Sequence, residues 1–284
     1  MRKMMKKIIV TGCNGQLGRA INQEYEGSTE FRMVNTDVDE LDITNIDSVM
    51  EFVRDANPYA IINCAAHTNV DACEEQWDSA YRINAIGPRN LAIAARETGA
   101  KIVHVSTDYV FSGDGSRPYV EFDATNPNSA YGTTKLAGEQ FVKEFADNYF
   151  IIRTAWLYGD GKNFAKTMLR LAETNEKVRV VGDQFGTPTS ARELARAIKH
   201  LVPTENYGLF HGTCEGSCSW AEFAAEIFKM AGLDTEVEAI TSAEYSAKAN
   251  RPAYSVLDNY MLRLTSDYRF ADWQDALAEY METL

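Results

Sequence analysis

Short apolar runs alternate with amphipathic segments through the first half of this 284-residue chain, and this alternation limits the folds that it can adopt. Residues 8–10 and 60–62 are apolar at every position, which is typical of strands covered by helices on both faces of a sheet. Segments with helical spacing lie between such runs, including one long helix predicted over residues 72–97 and open to a break near Gly87 and Pro88. The alternation predicts an α/β fold with a doubly wound parallel sheet.

The regular alternation ends near residue 155. We expect residues 1–155 to form a dinucleotide-binding domain that also receives part of residues 187–212, and residues 156–284 to form mainly a smaller α/β substrate-binding region. The sequence contains no internal repeat and no linker rich in proline, glycine or serine. The two parts should therefore pack together, with a ligand bound in the cleft that they share.

The chain is acidic, with a net charge of −13 and a pI of about 4.8. An acidic surface repels nucleic acid and anionic lipid, so neither is an expected partner. It also repels an anionic cofactor, so a phosphate site would depend on backbone N–H groups and helix ends. The basic first residues lead into only three apolar residues, and no apolar run approaches the ~18 residues of a membrane span.

The cysteines are odd in number and form no paired framework: Cys13, Cys64, Cys73, Cys214 and Cys218. Cys214 and Cys218 resemble half of a metal site, but no second pair or suitably spaced histidine completes it, so zinc is not expected. Reduced thiols are typical of the cytoplasm, which is the location we expect.

A glycine-rich turn follows the first predicted strand and opens the first predicted helix, with the spacing G-x-x-G-x-x-G. Glycine lets the turn bend, lets the backbone approach a pyrophosphate and lets the helix pack on the strand. The helix N-terminus offers N–H donors and a partial positive charge to phosphates. This pattern predicts a Rossmann-like dinucleotide site. The residues of the turn expected to contact the cofactor are Gly12, Asn14, Gly15, Gln16, Leu17 and Gly18.

Two acidic residues lie at and after the end of the second predicted strand. Asp37, 19 residues beyond Gly18, can bind the ribose hydroxyls of adenosine and disfavours a 2′-phosphate, which favours NADH over NADPH. As a helix or turn cap, Asp37 would need no ligand. Asp42, which precedes Ile43 in the same cofactor-binding stretch, could face the adenine or form a local Asx turn.

A tyrosine and a lysine stand one turn apart in a helix predicted over residues 130–145. Tyr131 and Lys135 are related as i and i+4 and so share a helix face. A phenol titrates near pH ~10, and a fixed positive charge beside it favours the phenolate and lowers its pKa. Such a group can give or take a proton, as carbonyl and alcohol redox chemistry requires. The hydroxyl of Thr107 lies 24 residues before Tyr131, at the end of a predicted strand.

Several motifs together resemble the extended short-chain dehydrogenases/reductases, and more narrowly the dTDP-4-dehydrorhamnose reductase family. The glycine turn and Tyr131-x-x-x-Lys135 are shared by the whole superfamily. The narrower motifs run over nearly the whole chain and are residues 63–74, 106–111, 153–158, 163–168, 183–189, 251–252 and 272–273.

The resemblance implies an NAD(P)H-dependent enzyme that reduces the C4 keto group of dTDP-4-dehydro-L-rhamnose to dTDP-L-rhamnose, a polysaccharide precursor. Tyr131 would give a proton to the developing alkoxide, Thr107 would hydrogen-bond the same oxygen, and Lys135 would hold the nicotinamide ribose and lower the pKa of Tyr131. Further implied cofactor contacts are Ala65, Ala66 and His67. Implied substrate contacts are Thr107, Asp108, Trp156 and Arg251. The family favours NADPH, whereas Asp37 favours NADH.

The resemblance also implies that some family members hold Mg²⁺ through glutamates at a dimer interface. Arg19 follows Gly18 in the first helix, and Arg192 lies in the helix after Pro188, where we would look for such an acid. Mg²⁺ is therefore not expected. The sequence does not decide whether the protein is a monomer or a homodimer.

Several of these residues also fit purely structural roles. His67 could cap the following helix, Thr107 with Asp108 could form a helix N-cap pair, and Trp156 could be a core residue. Asn84 could support the active site or be only a polar residue of a helix.

Two other classes of function also fit the motifs. One is another extended-family nucleotide-sugar reductase or an epimerase. The other is a non-catalytic regulatory subunit similar to the β subunit of methionine adenosyltransferase. The complete set of hydroxyl, phenol and ammonium groups favours an enzyme.

Overall fold

The computed structural model describes residues 5–245 and 248–284. Its strands are β1 (Lys6–Thr11), β2 (Phe31–Thr36), β3 (Ala60–Asn63), β4 (Lys101–Thr107), β5 (Tyr149–Thr154), β6 (Leu157–Tyr158), β7 (Lys177–Val181), β8 (Phe185–Gly186), β9 (Thr189–Ser190), β10 (Gly208–His211), β11 (Cys218–Ser219) and β12 (Glu236–Ile240). Its α-helices are α1 (Gln16–Glu24), α2 (Ile46–Ala56), α3 (Val70–Glu75), α4 (Trp77–Tyr81), α5 (Gly87–Thr98), α6 (Ala130–Phe145), α7 (Phe164–Ala172), α8 (Ala191–Leu201), α9 (Trp220–Met230), α10 (Ser242–Tyr245), α11 (Tyr260–Thr265) and α12 (Trp273–Met281).

A parallel sheet in the order β2-β1-β3-β4-β5-β10 forms the centre of the molecule. Successive residues of a strand point to opposite faces. Ile8 and Val10 accordingly join one buried cluster with Leu194 of α8, whereas Ile9 joins the cluster on the other face with Val49 of α2. Because helices cover both faces, the strands are apolar throughout. The predicted doubly wound α/β fold is confirmed.

The strand order places a switch point between β1 and β3. From β1 the chain moves to β2 on one side, and from β3 it proceeds through β4 and β5 on the other. In open α/β sheets, ligands bind at the carboxyl ends of the strands where the order reverses. The glycine turn after β1 and the loop after β3 meet at this point, since a Cβ on Gly12 would lie only 2.8 Å from the backbone of Ala65. The fold therefore brings these two predicted segments together.

The second half of the chain builds its own core and also returns to the sheet. β12 pairs in parallel with β7, and Phe223, Ile227 and Leu277 lie in a separate buried cluster. β10 adds to the edge of the main sheet beside β5, and α8 packs against α1. We infer from this placement a boundary near residue 155, with part of residues 187–212 assigned to the first domain.

The helix predicted over residues 72–97 is divided into α3, α4, a π-helical turn (Arg82–Ile86) and α5. Pro88 lacks an N–H, so it cannot donate to the carbonyl of Asn84 as an α-helix requires. The backbone widens into a π-turn just before Gly87. Gly138 of α6 packs against the Asn84 carbonyl, where a Cβ would lie 2.2 Å from the oxygen. π-Turns of this kind often accompany functional sites.

Candidate active site

A cleft of about 660 Å³ opens at the carboxyl ends of the strands and extends to Trp220 at the start of α9. It collects most of the residues predicted to bind cofactor or substrate. Those that line it are Gly12, Gly15, Gln16, Leu17, Gly18, Asp37, Asp42, Ile43, Ala65, Ala66, Thr107, Asp108, Tyr131, Lys135 and Trp156.

Three predicted residues lie beside the cleft rather than in its wall, namely Asn14, His67 and Arg251. Asn14 donates its backbone N–H to Asp37 Oδ2 at 3.1 Å. Arg251 Nη2 lies 3.2 Å from Asp71 Oδ2, a pair separated by 180 positions in the chain.

The imidazole of His67 contacts other protein groups. Its Nδ1 lies 3.2 Å from Cys73 Sγ, and its Nε2 lies 3.4 Å from Gln76 Oε1. His67 does not cap α3, because the side chain of Asn69 accepts the N–H of Ala72 there. The backbone of His67, rather than its ring, helps to hold the loop beside the cleft, because it is hydrogen-bonded to the side chain of Asn84.

The glycine turn is shaped to receive a phosphate. Gly12 has a φ of +64°, a conformation that favours glycine. A Cβ on Gly18 would lie 2.4 Å from the Gly12 carbonyl oxygen, so only glycine lets the helix pack this closely. Gly15, the N-cap of α1, has no side chain to cover the first N–H groups, and the first turn of α1 carries no acid. These N–H groups suit an anionic pyrophosphate.

Asp37 and Asp42 form local hydrogen bonds and also line the cleft, so their roles toward a cofactor stay predictions. Asp37 accepts the backbone N–H of Asn14 and, at 2.9 Å, that of Val38, while its side chain also lines the cleft. Asp42 forms the Asx turn, accepting the N–H and hydroxyl of Thr44 at 2.9 and 2.8 Å, and lines the cleft as well.

Thr107, Tyr131 and Lys135 meet on one wall of the cleft. Thr107 ends β4 and caps a 3₁₀ turn (Asp108–Val110), accepting the N–H of Tyr109 at 3.2 Å. Ser129 caps α6, which sets the start of the helix that carries the other two residues. Lys135 is 2% exposed and donates from Nζ to the Val105 carbonyl at 2.6 Å.

Burial dominates the electrostatics of this wall. It raises the pKa of the Tyr131 phenol, while the nearby Thr107 hydroxyl acts in the opposite direction. Burial also lowers the pKa of Lys135 to about 8, although Glu139 and Cys64 oppose that change. The pKa of Tyr131 is therefore raised overall, and a lowering contribution from Lys135 stays a prediction. Desolvation of the phenolate costs more than the neighbouring cation returns.

Two buried asparagines hold the loop after β3 in place. Asn63 Oδ1 accepts from the Thr11 hydroxyl at 2.7 Å and from the Ala65 N–H at 3.2 Å. Asn84 accepts the His67 N–H at 2.8 Å and donates back to the His67 carbonyl at 3.1 Å. The sequence leaves the role of Asn84 open, and the role of Asn63 is not predicted, because its only signal is a polar residue that ends an apolar strand.

Trp156 faces another aromatic residue. Its ring lies 3.5 Å from that of Trp220, centroid to centroid, with planes 10° apart. Its φ of +47° is unusual for a residue with a side chain and is held by the surrounding structure. Trp220 is not among the residues predicted from the sequence. Its signal, the capping box of Ser219 and Glu222, places it at a helix start but not against Trp156.

The described ranges contain no group of three or more His, Cys, Asp or Glu side chains that could hold a metal ion. Burial raises the pKa of Cys214 to about 12 and also raises that of Cys218. Arg192 forms ion pairs with Glu24 and Glu279. The absence of zinc and Mg²⁺ stays a prediction. Within residues 5–245 and 248–284, no helix has the length and apolar character needed to cross a membrane.

Known proteins resemble this chain over its full length. A family model described as the RmlD substrate binding domain matches residues 5–284. SpsK, a spore coat polysaccharide biosynthesis protein of Bacillus subtilis, is 39% identical over 279 residues, which are 98% of this chain and 98% of SpsK.

Two solved structures have closely similar folds. The dTDP-4-dehydrorhamnose reductase of Clostridium acetobutylicum has a TM-score of 0.96 and 53% identity, covering 98% of this chain and 99% of that one. The dTDP-4-dehydrorhamnose reductase of Bacillus anthracis, solved in complex with NADP, has a TM-score of 0.96 and 45% identity, covering 99% and 100%. These matches confirm the resemblance drawn from the motifs. The chain belongs to the family described as the RmlD substrate binding domain, which is the family of these dTDP-4-dehydrorhamnose reductases.

Proposed function

We propose that this protein reduces the C4 keto group of dTDP-4-dehydro-L-rhamnose to give dTDP-L-rhamnose, using NADPH or NADH. The observation that carries the proposal is the meeting of Thr107, Tyr131 and Lys135 on one wall of a cleft whose far end is the glycine turn. A proton donor and a dinucleotide site in one cleft are what reduction of a carbonyl requires. The names of the full-length relatives above support the same substrate.

The residues present fit a nicotinamide dinucleotide. The glycine turn and the N-terminus of α1 would hold its pyrophosphate, and Asp37 and Asp42 would face its adenosine. Ala65 and Ala66 would lie along it between these ends, and Lys135 would hold the nicotinamide ribose. When bound, the reduced nicotinamide supplies the hydride.

This chain supplies the proton and the environment of the developing charge. Tyr131 gives its phenolic proton to the C4 oxygen of the sugar, and the Thr107 hydroxyl hydrogen-bonds the same oxygen. Burial holds Tyr131 as the neutral phenol, so its proton is present at neutral pH. Lys135, whose pKa is about 8, is still mostly charged at neutral pH, and its positive charge favours the phenolate once the phenolate forms.

The sugar would bind on the side of the cleft that leads to the second half of the chain. Asp108 would accept a sugar hydroxyl, and the indole of Trp156 would pack on the ring. Arg251 Nη2 is paired with Asp71, so a substrate contact by Arg251 would use its other guanidinium N–H groups or require movement of that pair.

We further propose that the protein is a cytoplasmic enzyme that acts on a small nucleotide sugar. Because the chain is strongly acidic, we expect it to bind neither nucleic acid nor membrane. Monomer and homodimer are distinguished by light scattering of the purified protein.

The first test measures the near-ultraviolet absorbance of NADPH or NADH after the protein is added to dTDP-4-dehydro-L-rhamnose that is generated in the same reaction mixture. Turnover should make this absorbance fall. Oxidation that yields dTDP-L-rhamnose supports the proposal, and the ratio of the two rates measures the effect of Asp37. Cofactor binding without oxidation would shift the assignment to another keto sugar or to a regulatory role.

Tyr131→Phe tests the acid itself. The variant keeps the ring but has no proton to give, so turnover should fall ~10²–10⁴-fold while cofactor affinity changes little. Single-turnover rates and cofactor titration separate the two effects. Full turnover in this variant would remove Tyr131 from the proposed role.

A further inference from the structure

A buried ion pair lies one helical turn beyond Lys135. Glu139 of α6 and Arg153 of β5 are 0% and 2% exposed. Arg153 donates from Nε to Glu139 Oε1 and from Nη2 to Glu139 Oε2, both at 2.8 Å. A two-point pair of this kind fixes a carboxylate in both distance and orientation. The pair therefore attaches α6 firmly to β5.

The same carboxylate also reaches β4. Ser106 donates its hydroxyl proton to Glu139 Oε1 at 2.6 Å, and Ser106 directly precedes Thr107. One residue earlier in the strand, the Val105 carbonyl accepts from Lys135 Nζ at 2.6 Å. Lys135 and Glu139 thereby join α6 to two successive residues of β4, immediately before Thr107.

Three functional groups follow one another along a single face of α6. Tyr131, Lys135 and Glu139 are spaced by four residues, so each lies one turn after the last. Tyr131 and Lys135 line the cleft. Because the helix moves as one body, the attachments of Glu139 influence how the phenol and the ammonium lie relative to Thr107.

Glu139 also supplies a negative charge near the buried ammonium. Burial raises the pKa of Cys64 to about 12 and lowers that of His104, so neither neighbour is charged at neutral pH. The carboxylate of Glu139 opposes the burial that lowers the pKa of Lys135 to about 8. Burial raises the pKa of Asp108, on the same wall, to about 6, so Asp108 titrates below Lys135.

Two other cations share the Glu139 carboxylate. Lys143 Nζ lies 3.9 Å from Glu139 Oε2, and its side chain is 38% exposed, so water screens its charge. Arg153 is buried, and His211 beside it is neutral because burial lowers the pKa of His211 to about 3. Without the charge of Glu139, Arg153 and Lys135 would be two buried cations that share no carboxylate.

We propose that Glu139 is a positioning residue of the active site. Held by Ser106 and Arg153, its carboxylate fixes the face of α6 that carries the acid and the cation, and its charge balances the buried ammonium. Lys135 can then hold the nicotinamide ribose and favour the phenolate of Tyr131. This inference rests on the reductase function proposed above, and in this role Glu139 contacts neither substrate nor cofactor.

Glu139→Gln keeps the shape of the side chain but removes its charge. Its kcat should fall ~10²-fold, because a small displacement of reacting groups costs this much, while KM for the sugar should change little. In the wild type, kcat should fall as the pH rises through the pKa of Lys135, about 8. In Glu139→Gln this fall should begin about one pH unit lower, since an opposite charge is lost.

Glu144→Gln is the matched control, because it removes the same charge from an exposed position of α6. Its kcat and the pH dependence of kcat should equal those of the wild type. An unchanged kcat with an unchanged pH dependence in Glu139→Gln would overturn the proposal. A rise in KM for the sugar alone would also overturn it, since that result indicates a substrate contact.

A double variant separates positioning from stability. Glu139→Gln leaves Arg153 without its carboxylate and should also destabilise the fold. Glu139→Met combined with Arg153→Met replaces the pair by apolar side chains, an exchange that often preserves stability. Its kcat should stay low even where its urea unfolding midpoint equals that of the wild type. Recovery of kcat together with stability would show that the pair serves folding alone.

Ser106→Ala is the mildest test, because it leaves the ion pair intact. It removes only the hydrogen bond from β4 to Glu139, so kcat should fall several-fold while the affinity for cofactor changes little. This variant decides the question if the ion-pair variants do not fold. An unchanged kcat in Ser106→Ala would overturn the attachment to β4 as a positioning device.

Carbon-13 NMR of labelled lysine side chains tests the charge of Lys135 without turnover. Its Cε resonance, assigned by its absence in Lys135→Met, should titrate at about 8 in the wild type and at lower pH in Glu139→Gln. Identical titrations in a wild type that reduces the sugar would overturn the Glu139 proposal alone. A wild type that reduces no nucleotide sugar would overturn the reductase function, and the role of Glu139 would fall with it.

Discussion

Lys135 carries the cation of the candidate site on a side chain that the fold buries almost completely. Burial lowers its pKa to about 8, whereas the unfolded chain retains a value near 10.5. Between these values the unfolded state binds more protons, so stability rises with pH across this window. Below pH 8 the folded protein bears the full cost of the buried charge.

Lys135→Met should therefore stabilise the protein while abolishing its activity. At pH 7 the free energy of unfolding should rise by about 1–3 kcal/mol, since each unit of pKa shift is worth about 1.4 kcal/mol and the bond to Val105 is lost. Urea unfolding at pH 7 and near pH 10 measures the gain, which should shrink at the higher pH. Gln140→Met, exposed on the same helix, is the control. A loss of stability at pH 7 would contradict the argument.

A glycine determines where the indole of Trp156 can lie. A Cβ on Gly186 would be 2.5 Å from Trp156 Cε2, so Gly186→Ala should push the indole away from Trp220. The near-ultraviolet circular dichroism of the paired indoles should weaken, as in Trp220→Phe, and KM for the sugar should rise. Cofactor affinity should be unchanged, because the glycine turn is untouched. An unaltered spectrum would show that the pair tolerates a methyl group.

At the scale of elements, the strand–turn–helix unit β1–α1 depends on backbone contact. Gly18→Ala would place a Cβ within 2.6 Å of Cys13 Cα, and this crowding should lower stability by about 1–3 kcal/mol and weaken cofactor binding. Gly15→Ala is the matched control, since its nearest neighbour would be 3.3 Å away, and its cost should stay below about 1 kcal/mol. Thermal unfolding and cofactor fluorescence measure both variants. Equal losses of stability would refute the packing argument.

At the scale of the whole molecule, the net charge of −13 opposes an anionic cofactor. Raising the ionic strength from ~0.01 to ~0.15 M shortens the Debye length from ~30 to ~8 Å and screens this repulsion. The association rate constant of NADPH should therefore increase severalfold over that range in stopped-flow fluorescence. A decrease would mean that a local positive field around the cleft outweighs the overall charge.

Elements with strong local signals could be predicted from sequence. The bounds of α6 are as predicted, because Ser129 caps a regular apolar pattern. The helix over residues 72–97 was predicted less well. Its division depends on Pro88, Gly138 and the packing of α6, which local periodicity does not contain.

The sequence by itself determined the parallel sheet, the glycine turn and the placement of Tyr131 and Lys135 on one helix face. The glycine turn and the shared helix face follow from residues within one or two turns of each other, and the sheet follows from the repeated alternation of strand and helix patterns. Only the tertiary structure decided the pKa directions of Lys135 and Asp108, the pairing of Trp156 with Trp220, and that of Arg251 with Asp71. The physical reason is that desolvation and packing are produced jointly by segments far apart in the chain, so they exist only once the chain has folded.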